Sequence, residues 1–180
     1  TVFSIDSKFI SINTARHDAT KHLSLPIVGD AKLALTTLSK ACSGLKASSE
    51  WMSFAQDERK KWDAYVSDNI SVVNNRPNSY AQAIGVVNTI CDKRDRIVAA
   101  AGGLPAEVTA NWRTLDIGTV DVEFGFSCMG YEIAGSWGAK IAQSQNEPER
   151  DTISFCGDGS YLMLNSDIYS SVLSNKKLII

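Results

Sequence analysis

The chain has 180 residues, of which 44% are hydrophobic and 21% charged, as is typical of soluble globular proteins. Its net charge of −2 and its pI of about 5.7 give no basic surface of the kind that binds nucleic acid. No apolar run approaches the roughly 20 residues that a membrane-spanning helix needs. We therefore expect neither a nucleic-acid partner nor a membrane.

The four cysteines, Cys42, Cys91, Cys128 and Cys156, lie far apart and form no CxxC pair. This spacing favours reduced thiols over a disulfide framework or a zinc site. No basic, apolar targeting segment opens the sequence, so we expect a cytoplasmic protein.

The first predicted elements are two short strands followed by a helix. Phe9–Asn13 and Leu25–Val28 are apolar runs of strand type. Asp30 is a suitable N-cap for a helix from Ala31 to about Cys42. We interpret residues 1–44 as the C-terminal part of a middle α/β domain.

A second helix begins at Ser48-Ser49, and its aromatic residues alternate with charged ones. We interpret residues 45–76 as a helical linker. The chain opens on Thr1 and stops within the apolar run Leu178-Ile179-Ile180, so we expect both ends to be the boundaries of a fragment.

The next predicted elements are a helix and a buried strand. Ser79–Cys91 has apolar residues near helical spacing, with Pro77 placed to begin the helix. Arg96–Ala101 is a continuous apolar strand of the kind buried in parallel sheets, and Gly102-Gly103 ends it. Val120–Phe124 is a further short strand.

The remaining elements continue the alternation of helices and strands. The pattern predicts a helix over Gly130–Ala142, a strand over Thr152–Cys156, a tight turn, a helix over Tyr161–Leu173 and a strand over Lys177–Ile180. This alternation indicates an α/β fold with a parallel sheet flanked by helices. We expect the strands beginning at Ile97 and Thr152 to be parallel neighbours or near neighbours.

The turn Gly157-Asp158-Gly159-Ser160 is the most informative motif for function. Ligands of open α/β sheets bind at the carboxyl ends of strands, and amides at a helix N-terminus attract phosphate. An acid at that position makes chemical sense if a divalent cation lies between the carboxylate and a phosphate, as Mg²⁺ commonly does. The alternative is a βα-turn without a ligand, because an Asp-Gly sequence favours a turn by itself.

Several motifs, in their order, resemble those of the acetolactate-synthase-like thiamine-diphosphate enzymes, and most of all the trihydroxycyclohexanedione hydrolases of myo-inositol catabolism. These motifs are Asn13–Leu35, Ala100–Pro105, Trp112–Thr114, Gly125–Gly135 and Gly157–Met163. The resemblance implies that residues 77–180 are most of the domain that binds the cofactor's diphosphate, truncated at its C-terminus.

The resemblance also implies thiamine diphosphate and Mg²⁺ as cofactors, and it assigns roles to single residues. Asp158 would bind the metal, while Met129 would hold the cofactor bent. The implied cofactor-binding residues are Gly103, Glu107, Cys128, Met129, Gly157, Asp158, Gly159 and Ser160.

For the parent protein, the resemblance implies a hydrolase that breaks a carbon–carbon bond of a cyclic 1,2-diketone, acting as a homodimer or higher homo-oligomer. The activating glutamate would lie in an N-terminal domain, and an Asn past Ile180 would be the second metal ligand. We therefore expect no catalytic residue among these 180 and no activity from this chain alone.

Two alternative functions remain open at this stage. The first is another acetolactate-synthase-like lyase or transferase, and the second is a non-catalytic α/β module that keeps the fold. A serine hydrolase is disfavoured, because the second glycine of Gly125-Phe126-Ser127-Cys128-Met129-Gly130 is one residue late for a nucleophile elbow. Only His17 and His22, both near the N-terminus, are available as a histidine base for Ser127 or Cys128.

Overall fold

The computed structural model describes residues 3–73 and 77–180. The chain divides into two compact units, Thr1–Gln56 and Asp57–Ile180. Their boundary falls within a long helix, and the division into residues 1–44, 45–76 and 77–180 stays a prediction. Within the described ranges, no helix combines the length and the apolar character needed to cross a membrane.

The first unit contains a parallel pair of strands. β1 (Ile10–Asn13) and β2 (Leu25–Val28) lie side by side, with Ile10 opposite Leu25. α1 (Arg16–Ala19) and a short 3₁₀ turn (Lys21–Leu23) connect them.

The helix that follows β2, α2 (Ala31–Ala41), begins as the sequence predicts. The carboxylate of Asp30 accepts the N–H of Leu33 at 2.9 Å. This bond satisfies one of the amides that the first turn of a helix leaves without a partner, so the predicted N-cap is confirmed.

Two helices precede the sheet of the second unit. α3 (Ser49–Asn69) begins in the first unit and ends in the second, and α4 (Tyr80–Ile90) follows it. Ser79 caps α4 through a reciprocal pair of bonds with Gln82. The prediction that Pro77 begins this helix was wrong, because the Ser79–Gln82 capping box fixes the start after Pro77.

The second unit is built on a three-stranded parallel sheet. Its strands are β3 (Arg96–Ala99), β4 (Val120–Val122) and β5 (Thr152–Phe155), in the order β4-β3-β5. Ile97 of β3 lies opposite Val120 on one side and Ile153 on the other. The predicted parallel pairing of β3 with β5 is confirmed.

Helices cover both faces of this sheet. α5 (Leu104–Asn111) leads from β3 to β4, and α6 (Tyr131–Gln143) leads from β4 to β5 on the other side of β3. The connection from β3 to β4 and the connection from β4 to β5 run in opposite directions across the sheet. Because such crossovers are right-handed, their helices lie on opposite faces. α5 packs against α4, and α6 packs against β3, β5 and α8 (Ser166–Leu173). The predicted α/β class is therefore confirmed.

The core of the second unit lies between β3, β5 and the α4–α5 layer. The buried apolar side chains in contact there are Ile84, Ile97, Ala99, Val108 and Ile153. Their burial anchors the carboxyl ends of β3 and β5, which carry the loops of the candidate site.

The C-terminal segment differs from its prediction. α7 (Asp158–Met163) begins inside the predicted turn, and Leu164, at φ −148° and ψ 65°, separates it from α8. The predicted strand at Lys177–Ile180 is reduced to one parallel bridge between Ile153 and Ile179.

Candidate functional site

A cleft of about 450 Å³ opens at the carboxyl ends of β3 and β5. The strand order reverses between these two strands, and open α/β sheets bind ligands at such a point. The lining residues come from α4 and from the loops after β3, before α6 and after β5. They are Tyr80, Ala101, Gly102, Gly103, Leu104, Met129, Cys156, Gly157, Asp158, Gly159 and Ser160.

A larger hollow of about 670 Å³ lies beside α3. Its charged groups already bond to each other, because the Arg113 guanidinium donates to the Asp63 carboxylate at 2.8 Å and to the Asp63 carbonyl at 3.1 Å. We therefore place the candidate site in the cleft and not in this hollow.

The loop after β5 provides the polar wall of the cleft. Gly157 is the N-cap of α7, and Asp158 is the first residue of the helix. The exposed carboxylate of Asp158 accepts the N–H of Gly159 through Oδ1 at 2.8 Å. Its Oδ2 has no protein partner among residues 3–73 and 77–180, so it is available to a cation.

The thiol of Cys156 lies at the base of this wall. Burial, with a smaller contribution from the nearby charge of Glu132, raises its pKa to about 11. The side chain is therefore a neutral thiol at physiological pH and a poor nucleophile.

The loop after β3 provides a second wall. Gly102 has a φ of +76°, which glycine adopts without strain, and Gly103 is the N-cap of α5. With Ala101, these residues present backbone to the cleft.

The loop before α6 provides the third wall and brings in Met129. The carboxylate of Glu123 accepts the N–H groups of Cys128 and Phe126, each at 2.9 Å, and these bonds hold its pKa below the usual range. Ser127 between them has a φ of +54°. A Cβ at Gly159 would lie 3.0 Å from the Met129 Cε, so the thioether reaches across to the Asp158 wall.

Six of the eight predicted cofactor residues therefore line one cleft: Gly103, Met129, Gly157, Asp158, Gly159 and Ser160. Glu107 and Cys128 are not among its lining residues. The Glu107 carboxylate instead accepts the Asn111 side-chain amide at 3.0 Å, and Cys128 has an exposed side chain in the outer part of its loop. The roles of all eight residues stay predictions.

Glu132 connects two of these walls and was not predicted from the sequence. Its side chain is 0% exposed. One oxygen accepts the N–H of Ala101 and the other accepts the N–H of Gly130, each at 2.9 Å. The available signal was an acidic residue between Tyr131 and Ile133 in a helix rich in small residues.

The donor set bears on the kind of metal that the cleft can hold. Within the part of the chain that the structure describes, no three His, Cys, Asp or Glu side chains cluster as metal ligands. Asp158 is the one carboxylate among the lining residues. A single carboxylate beside a glycine-lined wall fits Mg²⁺ that takes its other oxygens from phosphate and water.

Comparison with known proteins identifies the class. Residues 100–180 match the family described as thiamine pyrophosphate enzyme, C-terminal TPP binding domain. The predicted resemblance is confirmed, because these residues are similar to that domain of the thiamine-diphosphate-dependent enzymes.

The similar proteins carry a more specific name. The chain is 33% identical over 95% of its length to a 3D-(3,5/4)-trihydroxycyclohexane-1,2-dione hydrolase of Bacillus anthracis, and 32% identical over 96% to one of Clostridium botulinum. A relative from Bacillus cereus, named as hydrolase 1 of the same kind, is 33% identical over 95%. The chain spans 30% of the length of each of these relatives.

Proposed function

We propose that the cleft binds the diphosphate of thiamine diphosphate together with Mg²⁺. The carboxylate of Asp158, exposed and with one oxygen free of protein partners, carries the proposal. It lies within the residues that match the cofactor-binding domain. In the cleft, Gly157, Gly159 and Ser160 would present the first turn of α7 to the phosphates, and the Asp158 carboxylate would bind the cation.

Met129 then acts as an apolar support for the cofactor's ring portion. Its side chain is 44% exposed and faces the α7 wall. A thioether suits this role because it is apolar and adapts its shape to a ring. The bound cofactor supplies an electron sink for breaking a carbon–carbon bond beside a carbonyl, while these residues hold and orient it.

We further propose that the parent protein is a hydrolase of a cyclic 1,2-diketone of the trihydroxycyclohexane-1,2-dione type, acting in the cytoplasm in inositol catabolism. The names of the relatives support this substrate class. All four cysteines are free thiols, as suits a reducing compartment.

We also propose a homo-oligomeric assembly. Large apolar side chains on α7 and α8 are exposed, among them Leu162 at 73%, Tyr169 at 68% and Leu173 at 70%. An apolar surface of this kind is typical of an interface. Sedimentation of the holoenzyme at increasing concentration tests the proposal, and a monomer at every concentration would refute it.

The cofactor proposal is tested with Asp158→Asn in the holoenzyme, with binding of thiamine diphosphate measured by calorimetry with and without Mg²⁺. We expect the Mg²⁺-dependent part of the affinity to be lost. The matched control is Asp167→Asn, which changes the acid in the first turn of the next helix, outside the lining of the cleft. Unchanged affinity in Asp158→Asn would contradict the assignment.

The substrate proposal is tested separately by following ring opening of trihydroxycyclohexane-1,2-dione. Cofactor binding without ring opening would reject the hydrolase and retain the thiamine diphosphate site.

A further inference from the structure

The carboxylate of Glu132 is buried although it belongs to no ion pair within residues 3–73 and 77–180. It lies in the first turn of α6 with 0% of its surface exposed. A buried carboxylate is unfavourable unless hydrogen bonds replace its water. Both of its oxygens are satisfied by backbone N–H groups of the protein.

The two amides belong to different walls of the cleft. Ala101 follows β3 and lines the cleft, whereas Gly130 precedes α6 and is the neighbour of Met129, which lines the cleft on another side. Each bond is 2.9 Å long and charge-assisted, so it is stronger and more directional than a bond between neutral groups.

Gly130 has little freedom to move independently of this carboxylate. Its φ is +94°, and a Cβ at this position would lie 2.5 Å from the Cβ of Leu164. The backbone beside Met129 is therefore held between Leu164 on one side and Glu132 on the other.

We infer that Glu132 is a positioning residue that sets the separation of the Ala101 wall from Met129, and with it the fit of the cofactor. The identity of the occupant rests on the proposed function. The carboxylate itself is absent from the lining of the cleft, so it acts through the two backbone segments.

The first test compares Glu132→Gln with Thr152→Val in the holoenzyme. Glutamine keeps the shape of the side chain but turns one acceptor into a donor, so one amide loses its partner. Thr152 is 0% exposed and donates to Gln143 Oε1 at 2.6 Å, away from the cleft. Thr152→Val therefore removes an equally buried bond between α6 and β5 and controls for a general loss of stability.

We expect the Kd for thiamine diphosphate, at saturating Mg²⁺, to rise about tenfold to hundredfold in Glu132→Gln and to remain unchanged in Thr152→Val. Equal affinities for the wild type and Glu132→Gln would overturn the inference, as would an equal loss in the control. No binding by the wild type would refute the proposed function instead.

The second test measures amide hydrogen exchange in the absence of cofactor. It does not depend on the proposed function, and its wild-type result decides the inference even if Glu132→Gln does not fold. The amides of Ala101 and Gly130 should exchange slowly in the wild type and faster in Glu132→Gln. Fast exchange of both amides in the wild type would overturn the inference.

Discussion

The first turns of α6 and α7 contain the same types of residue, but their acidic side chains make different contacts. Each helix has a glycine N-cap, Gly130 or Gly157, and an acid in its first turn, Glu132 or Asp158. Glu132 is buried and its oxygens are occupied by two protein amides, whereas Asp158 is exposed and keeps one oxygen free of protein partners in the described residues. An acid at a helix N-terminus is therefore available to a ligand only where the protein leaves an oxygen of its carboxylate free.

The largest difference in stability between the two helix N-termini is expected when each carboxylate is removed. Glu132→Ala leaves two buried amides unpaired and should lower the free energy of unfolding by about 2–6 kcal/mol. Asp158→Ala removes an exposed side chain whose favourable interaction with the helix dipole is small, and should cost less than about 1 kcal/mol. Denaturant unfolding of the cofactor-free variants measures both, and similar losses would show that burial does not distinguish the two acids.

The two glycine caps give the next largest difference. Gly130→Ala forces an L-residue to a φ of +94° and against Leu164, so we expect a loss of about 2–4 kcal/mol. Gly157 has a φ of −75°, and a Cβ there would meet no atom within 4 Å. Gly157→Ala should therefore change stability by less than about 1 kcal/mol in either direction. Thermal unfolding of the pair checks this, and a larger loss at Gly157 would reverse the comparison.

A smaller effect is expected where the α7 wall meets Met129. A Cβ at Gly159 would lie 3.0 Å from the Met129 Cε, a contact that a flexible side chain relieves by moving. Gly159→Ala should cost about 1 kcal/mol, and less when Met129 is also changed to Ala. A double-mutant cycle measures the coupling, and strictly additive losses would show that the two residues do not press on each other.

Glu123 is an intermediate case and gives the smallest expected effect. Like Glu132 it accepts two backbone amides, but it is only half-buried. The N–H groups of Cys128 and Phe126 lower its pKa, so its contribution to folding is present above the ordinary glutamate pKa of about 4.3 and is lost as the pH falls through the lower folded-state pKa.

An NMR titration of the Cys128 and Phe126 amides from neutral to acid pH should follow this loss, and Glu123→Gln should abolish the pH dependence. If the chemical shifts of these amides depend on pH in Glu123→Gln as they do in the wild type, a group other than Glu123 causes the pH dependence.

Features with a local signal could be predicted from the sequence, and features that depend on distant partners could not. β3 overlaps the apolar run Ile97–Ala101, β5 alternates Thr152 and Ser154 with Ile153 and Phe155, and Asp30 directly precedes a helical pattern. The bond between Glu132 and Ala101 joins residues 31 positions apart, so no local pattern predicts it. The break at Leu164 has no Gly or Pro to mark it, which explains why α7 and α8 were predicted as one helix.

Glu107 is a different case, because its hydrogen-bond partner, Asn111, can be predicted from the sequence. Asn111 lies four residues later on the same helix, a spacing at which side chains are neighbours. The pairing of Glu107 with Asn111 is therefore predictable from the sequence.

Because the Met129 thioether is exposed beside the α7 wall, we expect peroxide to alter the cleft. Oxidation of the thioether to a sulfoxide adds a polar oxygen to a side chain that packs against Gly159 and remains 44% open to solvent. The enlarged, polar group would turn away from Gly159 and take its apolar surface out of the cleft, and a methionine sulfoxide reductase would restore the contact. A ligand seated in the cleft would shield the sulfur, so occupancy and resistance to oxidants should rise together.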